Sequence, residues 1–323
     1  MRSDRSNERY STRRPLPTPS EVRGVPGTPL APHRTHADPP DRVAVGDPGS
    51  LTALILAGRR SGADPVACAA GVSHKALVPV GGRPMLMHVV DSLRSLPRIG
   101  RVILSSDDAE ALQSVPELRE LLASGALEYR ASAGSPADSV RESLAGIDLP
   151  GPLLVTTADH PLLTPQMIEY FCDAAEGTSA DVVAAVVSAS VLLDRFPDAR
   201  RTFIPLRGES VTGSNLFWFR SKEGARAAAF WRQTEQVRKR PWRLAALFGI
   251  RTLASFALRR LDLEQAAERI SSKLGLRAAV VRMPFAECGI DVDRPEHLAL
   301  VERILAEVTA RVPTAARTPG IPR

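Results

Sequence analysis

Residues 51–86 read LTALILAGRRSGADPVACAAGVSHKALVPVGGRPML. A mostly apolar run, Leu51 to Leu56, leads into Ala57-Gly58 and a polar loop, and Lys75 precedes a second apolar run. This order is expected when a buried strand delivers a glycine-containing loop to a polyphosphate, because glycine lets backbone N–H groups approach the phosphate oxygens. The alternative interpretation is a surface loop with ordinary basic residues.

The loop supplies two kinds of candidate phosphate-binding group. Lys75 and two arginines, Arg59 and Arg60, carry the positive charge that would oppose phosphates. The remaining candidates for nucleotide binding lie along the same loop, and they are Leu56, Ala57, Gly58, Ser61 and Gly62.

Composition limits the class of protein. With 323 residues, 44% of them hydrophobic, the chain can bury one large core or two modest ones. The net charge is +6, but aromatic residues make up only 5% and no zinc-finger spacing or aromatic-interleaved basic motif occurs, so nucleic-acid binding is not expected. Cys68, Cys172 and Cys288 are far apart without CxxC spacing, which indicates neither a disulfide framework nor structural zinc. We therefore expect a reducing compartment, the cytoplasm.

Both ends of the chain have the composition of disordered tails. Residues 1–49 are rich in Arg, Pro, Ser, Thr and Gly and cannot bury enough apolar surface to offset the entropy of ordering. They also lack the apolar core of a signal peptide, so export is not expected. Residues 311–323 have a similar proline-rich character. The predicted folded domain is therefore 50–310.

Within that domain, strand patterns alternate with helix patterns. Such alternation predicts an α/β fold with a doubly wound, mostly parallel sheet, whose ligand crevice lies beyond the carboxyl ends of the strands. The loops after residues 56, 130 and 157 are then expected to converge on one site. Predicted strands cover residues 52–56, 101–105, 127–130, 153–157, 181–188, 211–219 and 277–283. Predicted helices cover residues 84–96, 109–123, 137–145, 165–175 and 262–274, and another begins at Pro295.

A second informative stretch, LLVTTADHPLLTP, covers residues 153–165. Asp159 follows a strand that we expect to be central, so its carboxylate is predicted to point into the crevice. Mg²⁺ commonly takes one or two carboxylates together with substrate phosphates, which makes Asp159 a candidate ligand. Alternatively, Asp159 caps a turn before Pro161.

A third stretch, GIDVDRPEHL, covers residues 289–298. Asp293 can cap the helix that begins at Pro295, and either Asp291 or Asp293 can be a second magnesium ligand. Acidic groups after two different strands, opposite a loop with glycine and lysine, indicate phosphoryl or nucleotidyl transfer more strongly than any one of them alone.

The motifs LAGRRSG, VPVGGRPML, VTTADHP and GIDVDRPEHL, with Lys75, resemble in that order those of the MobA-like NTP transferases. These are nucleotidyltransferases with a Rossmann-like fold, and the resemblance spans about residues 51–305. It implies an NTP, CTP or GTP, bound by the loop at Gly58 with Lys75 near its phosphates. It also implies Mg²⁺ on Asp159 and on Asp291 or Asp293.

The resemblance extends to two further segments. Ser139 in GSPADSVRESL resembles the family's base and ribose contact, and Gly213, Ser214 and Asn215 in VTGSNLFWF resemble its acceptor-side loop. Arg59 departs from the family pattern, because a second glycine usually stands there and the path to the lysine is usually shorter. His160 stands where a hydrophobic or amide residue is usual. One interpretation is a side chain that supports the site from behind its ligands, but we predict an exposed loop histidine, and we predict the same for His74.

The expected mechanism needs no catalytic triad. A phosphate monoester acceptor, with a second pKa of about 6, is largely ionised at neutral pH and requires no general base. Its oxygen would attack the α-phosphorus of the NTP and pyrophosphate would leave, with Asp159-bound Mg²⁺, Lys75 and Arg60 neutralising charge. The chain lacks GxSxG, GxxxxGK[ST] and GxGxxG, which disfavours a hydrolase, a P-loop kinase and an NAD enzyme.

The segment Trp231 to Leu261, WRQTEQVRKRPWRLAALFGIRTLASFALRRL, is strongly basic. Residues 231–260 hold eight Lys/Arg and one Glu, interleaved with apolar residues at roughly helical spacing. The apolar run is too short to span a bilayer. It can lie at an anionic membrane surface, which would extend the acceptor class to lipid-headgroup precursors. Alternatively, a helical insertion at about 221–275 packs on the main domain or on a second subunit.

Two functional interpretations follow. The first is a Mg²⁺-dependent nucleotidyltransferase that acts on a phosphorylated sugar, polyol or cofactor. The second is a catalytically weak, nucleotide-binding and membrane-associated adaptor with the same fold.

Overall fold

The computed structural model describes residues 51–59, 62–149, 151–235 and 241–311. Its strands are β1 (Leu51–Leu56), β2 (Pro79–Val80), β3 (Arg83–Pro84), β4 (Ile99–Ser106), β5 (Glu128–Ala131), β6 (Leu153–Thr157), β7 (Val182–Ser188), β8 (Ile204–Pro205), β9 (Ser210–Phe219) and β10 (Ala278–Arg282). Its helices are α1 (Pro65–Ala70), α2 (Met85–Arg94), α3 (Ala109–Gln113), α4 (Pro116–Ala123), α5 (Pro136–Gly146), α6 (Pro165–Glu176), α7 (Ala189–Arg195), α8 (Ala225–Glu235), α9 (Pro241–Ala246), α10 (Ile250–Ala257), α11 (Leu263–Leu274) and α12 (Pro295–Arg311).

The main sheet has the strand order β10-β7-β9-β6-β1-β4-β5, and β8 pairs with β9. Strands β6, β1, β4 and β5 run parallel to their neighbours in this set, as do β7 and β10. Strand β9 is antiparallel to both β6 and β7. The prediction of an α/β fold with a doubly wound, mostly parallel sheet is therefore confirmed.

Strand β1 shows how helices cover both faces of the sheet. All six of its residues are buried. Ala53 and Ile55 belong to one apolar cluster, which includes residues of α2 and α6, whereas Leu54 and Leu56 belong to another, which includes residues of α5 and α8. A largely apolar strand is what burial on both faces favours. Because β1 lies between β6 and β4, its carboxyl end lies inside the sheet and away from either edge strand.

Helix boundaries differ from the prediction in two regions. The predicted helix 109–123 is wrong, because it is two helices: proline lacks a donor N–H and favours a first helical position, and Pro116 starts α4. The basic segment is likewise not one helix. Pro241 starts α9, and Gly249, with φ 93°, precedes α10. Helices α1 and α7 were missed by the sequence prediction.

The predicted tails lie outside the described residues, except that Arg311 ends α12. Across the ranges that the structure does describe, no helix has the length and apolar character needed to cross a membrane.

Candidate active site

The loops after β1, β5 and β6 meet around residues 56–58. A Cβ atom at Gly58 would lie 3.1 Å from Oγ of Ser132, which follows β5. The backbone N–H of Ala158, which follows β6, donates to the carbonyl of Leu56 at 3.0 Å. The predicted convergence of the three loops is confirmed, and the close approach of Ser132, rather than an unusual backbone angle, favours glycine at position 58.

Arg59 is tied to the end of β4. Its backbone N–H donates to Oδ1 of Asp107 at 2.9 Å, and its Nε donates to Oδ2 at 2.8 Å. Asp108 lies 3.3 Å from the same guanidinium. Although partial burial opposes ionisation, the hydrogen bonds from Arg59 hold the pKa of Asp107 below its usual value. The residue that replaces a glycine of the family pattern thus joins the glycine loop to β4.

A cavity of about 420 Å³ opens beside this loop. Its lining includes Arg59, Gly62, Ser73 and Asp107 together with residues of α1. Gly62 has φ 100°, a left-handed conformation that favours glycine. Two predicted site residues of the loop, Arg60 and Ser61, lie outside the described residues.

Lys75 joins the two acidic loops. Its Nζ donates to Oδ2 of Asp159 at 2.6 Å and to Oδ1 of Asp293 at 3.1 Å. Burial disfavours the ammonium, but the two carboxylates more than offset this and raise the pKa of Lys75 above its ordinary value. Three predicted site residues, distant in sequence, are therefore in direct contact.

His74 supports the turn that carries Lys75. Its Nδ1 accepts a hydrogen bond from the backbone N–H of Ala76 at 3.1 Å, which leaves Nε2 to carry the ring proton near Ser106. The side chain is buried, so the prediction of an exposed loop histidine is wrong. Burial lowers the pKa of His74 and favours the neutral ring.

Asp291 has different partners from Asp293. Its carboxylate forms an ion pair with Arg201 and accepts a hydrogen bond from Nδ2 of Asn215 at 2.7 Å. Asn215 has φ 53°, and it lies where the pairing of β7 with β9 is irregular. This irregularity carries the predicted acceptor-side residue to Asp291.

The rest of the predicted acceptor loop surrounds this contact. Gly213 is exposed and pairs with Val186, whereas Ser214 is buried. Oγ of Ser214 has no hydrogen-bond partner among the described residues.

His160 is also buried, so its predicted exposure is wrong. Its Nε2 lies 3.3 Å from the carbonyl oxygen of Glu287. Burial lowers its pKa despite the nearby charges of Asp291 and Asp159. Together with the hydrogen bond from the Val292 N–H to the Asp159 carbonyl, this contact fixes the two acidic loops to each other.

Ser139 lies in the first turns of α5 and is buried. Its Oγ accepts a hydrogen bond from the backbone N–H of Ala133 at 2.9 Å. This bond shapes the loop after β5, next to Ser132 and Gly58, so Ser139 is placed close to the predicted nucleotide loop.

The predicted magnesium ligands divide into two groups. Asp159 and Asp293 converge on one cation position, which the ammonium of Lys75 fills, whereas Asp291 faces Arg201. Within residues 51–59, 62–149, 151–235 and 241–311, no group of three or more His, Cys, Asp or Glu could hold a metal ion by itself. Oδ1 of Asp159 is buried and has no hydrogen-bond partner in the described part of the chain. Two carboxylates with a spare oxygen fit Mg²⁺, which takes further ligands from phosphates and water.

The sequence analysis missed Asp107 and Arg201. Asp107 could have been found, because it follows a predicted strand and so lies at the same sheet edge as Asp159. Arg201 lies between α7 and β8, outside every predicted element, and nothing in its sequence context indicates its partner.

A family model described as MobA-like NTP transferase domain matches residues 53–275, which is more than half of the chain. The chain belongs to the MobA-like NTP transferase family. The suspected resemblance is confirmed, and the protein is a nucleotidyltransferase.

This MobA-like NTP transferase is similar to one curated protein and to one solved structure. The chain is 27% identical, over 237 residues, to 2-C-methyl-D-erythritol 4-phosphate cytidylyltransferase of Frankia casuarinae, and the match covers 73% of this chain and 76% of the relative. Its structure is similar to that of a hypothetical transferase from Thermus thermophilus, with a TM-score of 0.62 and 30% identity. That match covers 76% of this chain and 98% of the other.

Proposed function

We propose that this MobA-like NTP transferase moves an NMP from an NTP to a phosphorylated small-molecule acceptor and releases pyrophosphate. The supporting observation is the contact of Lys75 with both Asp159 and Asp293 at the sheet edge where Gly58 lies. One ammonium between two carboxylates leaves one negative charge, so the cluster can accept a cation that accompanies a triphosphate. A site for an anionic ligand alone would not need this excess of carboxylate.

We propose Asp159 and Asp293 as the residues that hold Mg²⁺. When bound, Mg²⁺ would neutralise charge on the triphosphate and help to align it. The ammonium of Lys75 can leave one of its carboxylate partners and bind a phosphate oxygen instead, because its flexible side chain carries a compact positive charge. Arg60 is proposed as a further phosphate-neutralising group.

The transfer step makes one bond and breaks one. An acceptor phosphate oxygen attacks the α-phosphorus, and the bond from that phosphorus to the departing pyrophosphate breaks. No proton has to be removed from an ionised phosphate monoester. The protein's own contribution is then alignment and charge neutralisation by Lys75 and the loop at Gly58, with Ser139 proposed near the base and ribose.

The nucleotide and acceptor are proposed from the family and its relatives. The Frankia relative is named as a cytidylyltransferase of a polyol phosphate, which favours CTP over GTP and a sugar or polyol phosphate as the acceptor. We propose that Gly213, Ser214 and Asn215 line the acceptor side, with Arg201 holding Asp291 and, through it, Asn215.

The domain boundaries 50–310 and a cytoplasmic location remain proposals. Peripheral contact of residues 231–261 with the inner membrane surface is a separate proposal, since it depends on the helical insertion and on none of the transfer residues. If that contact exists, the acceptor class extends to lipid-headgroup precursors.

The transfer reaction can be tested with purified protein, Mg²⁺, each NTP and a panel of sugar, polyol and cofactor phosphates. We expect pyrophosphate release with CTP and one class of acceptor. Asp159→Ala and Lys75→Ala should abolish it, whereas the exposed-residue controls Asp194→Ala and Lys222→Ala should retain it. Release that persists in both site variants would contradict the proposal.

The adaptor remains the second candidate because Arg59 occupies a glycine position of the family pattern and is held by Asp107. Tight NTP binding without turnover across the whole panel would favour the adaptor over the enzyme.

A further inference from the structure

Four of the large exposed hydrophobic residues of the described chain lie together in the helical insertion. We call them, with the arginines beside them, the α9–α10 face. The exposed fractions are 54% for Trp242, 37% for Leu247, 76% for Ile250 and 63% for Leu258. The arginines are Arg243, Arg251, Arg259 and Arg260. Surface exposure of this many apolar side chains in one short segment indicates an interaction surface.

The opposite side of α10 is packed on the rest of the protein. Thr252 is buried, and its Oγ1 accepts a hydrogen bond from Nη1 of Arg269 in α11 at 2.6 Å. Phe248 contacts Phe230 of α8 edge to face, with 5.5 Å between the ring centroids. The inner side of the segment therefore packs on the main domain, as one interpretation of the sequence predicted. The outer side has no partner in the described structure.

The outer side presents a continuous apolar stripe. Ile250, Ala254 and Leu258 are four residues apart, so they lie on the same side of α10, and all three are exposed. Trp242 of α9 is exposed as well, and the polar and apolar parts of its ring suit a water–lipid interface. Since α9 and α10 are short, the stripe can lie in an interface but cannot cross a bilayer.

The charge around the stripe is of one sign. Residues 241–261, the described part of this segment, contain four arginines and no Lys, Asp or Glu. No carboxylate of the described residues pairs with any of the four arginines of the α9–α10 face. The guanidinium of Arg243 lies over the ring of Trp242, 5.0 Å from its centroid. The cations are thus available to an external anionic surface.

Exposed apolar side chains beside unpaired arginines fit some classes of binding partner better than others. A nucleic acid would satisfy the arginines but would leave Ile250 and Leu258 exposed. A second copy of the face would bring like charges together. An anionic bilayer satisfies both features, because its phosphates meet the arginines and its acyl boundary receives the apolar side chains.

We propose that the α9–α10 face binds peripherally to anionic phospholipid membranes, with Trp242, Ile250 and Leu258 at the headgroup–acyl boundary. The arginines then lie at the level of the lipid phosphates. This proposal is independent of the transfer reaction, because no residue of the face belongs to the Lys75 cluster.

The test compares vesicles of phosphatidylcholine alone with vesicles that also contain phosphatidylglycerol. We expect co-sedimentation only with the second kind, weakening as salt increases, and a blue shift of tryptophan emission that Trp242→Phe removes. Since each cation near an anionic surface contributes about 1 kcal/mol, the triple change Arg251→Gln, Arg259→Gln and Arg260→Gln should lower the partition constant roughly a hundredfold. Ile250→Ser with Leu258→Ser should lower it by a comparable factor.

Matched controls use exposed residues outside the face. The triple change Arg94→Gln, Arg119→Gln and Arg303→Gln, and the single change Val308→Ser, should leave vesicle binding unchanged. Urea unfolding and pyrophosphate release with a soluble acceptor should match the unmodified protein in all face variants, which separates this proposal from the transfer proposal.

Two outcomes would overturn the proposal: the absence of binding to phosphatidylglycerol vesicles, and equal binding to both kinds of vesicle. If binding is absent and sedimentation equilibrium shows a dimer that Ile250→Ser with Leu258→Ser dissociates, the face is assigned to a second copy of the chain.

Discussion

Asp291 and Asp293 lie two positions apart but differ in their partners. Arg201 and Asn215 occupy the two carboxylate oxygens of Asp291, and both Arg201 and Asp291 are largely buried. Asp293 instead shares Lys75 with Asp159. An aspartate already neutralised by a guanidinium is a poor candidate for a cation, so we infer that Asp293, rather than Asp291, acts with Asp159.

This inference predicts different effects of two similar substitutions. In the presence of CTP, Asp293→Asn should weaken Mn²⁺ binding roughly tenfold or more, because one charged ligand is lost. Asp291→Asn should leave Mn²⁺ binding nearly unchanged, but it should lower the free energy of unfolding by about 3 kcal/mol, because Arg201 remains buried without its counter-charge. Mn²⁺ binding is measured by electron paramagnetic resonance and stability by urea unfolding. Equal loss of Mn²⁺ affinity in both variants would reject the assignment.

At the scale of elements, the nucleotide loop depends on the packing of three strand ends. Ser132 after β5 lies against Gly58 after β1, and Asp107 after β4 holds Arg59. Residues that follow neighbouring strands therefore fix the conformation of the loop, which has no second glycine at position 59. This arrangement explains how arginine is tolerated at position 59.

The contact between Gly58 and Ser132 gives a paired prediction. Gly58→Ala should lower the free energy of unfolding by about 1–2 kcal/mol and weaken CTP binding, because the added Cβ crowds Ser132. Adding Ser132→Gly should restore much of both, since it removes the atoms that the Cβ would meet. Gly134→Ala is the matched control, because a Cβ there meets nothing within 4 Å. Urea unfolding and calorimetric titration with CTP measure the two effects, and no recovery in the double variant would contradict this account.

At the scale of the whole molecule, buried histidines connect folding to pH. Burial lowers the pKa of His74 and His160 below the ordinary value of 6.5. Their contribution to the free energy of unfolding is complete above pH 6.5 and decreases as the pH falls below it, because the unfolded chain then binds protons that the folded chain does not.

We therefore expect the free energy of unfolding to decrease below pH 6.5, by at most about 1.4 kcal/mol per pH unit for each histidine. His74→Asn should make this decrease less steep, because the amide oxygen can still accept from the N–H of Ala76 but the side chain does not titrate. Urea unfolding at a series of pH values measures the slope. An unchanged slope in the variant would show that His74 does not provide this linkage.

The sequence by itself determined many of the local elements and the members of the family motifs. Strand β6 has the predicted bounds, 153–157, α6 begins at the predicted residue, Pro165, and α11 begins one residue after the predicted start at 262. Thr164 accepts a hydrogen bond from the N–H of Met167, and Asp262 forms a capping box with Gln265. Continuous apolar runs and helix caps act over a few residues, so they can be recognised without the rest of the fold.

Only the tertiary structure decided which charges meet. Lys75 is separated by 84 residues from Asp159 and by 218 from Asp293, and the fold brings all three together. The parallel pairing of β1 with β6 places the ends of the two strands side by side. The partner of Asp291, the burial of His160 and the exposed side of α10 depend in the same way on packing between distant elements. A charge pattern along the chain specifies candidates, but an ion pair forms only between side chains that packing places within a few ångströms, since screening by water weakens the attraction beyond that distance.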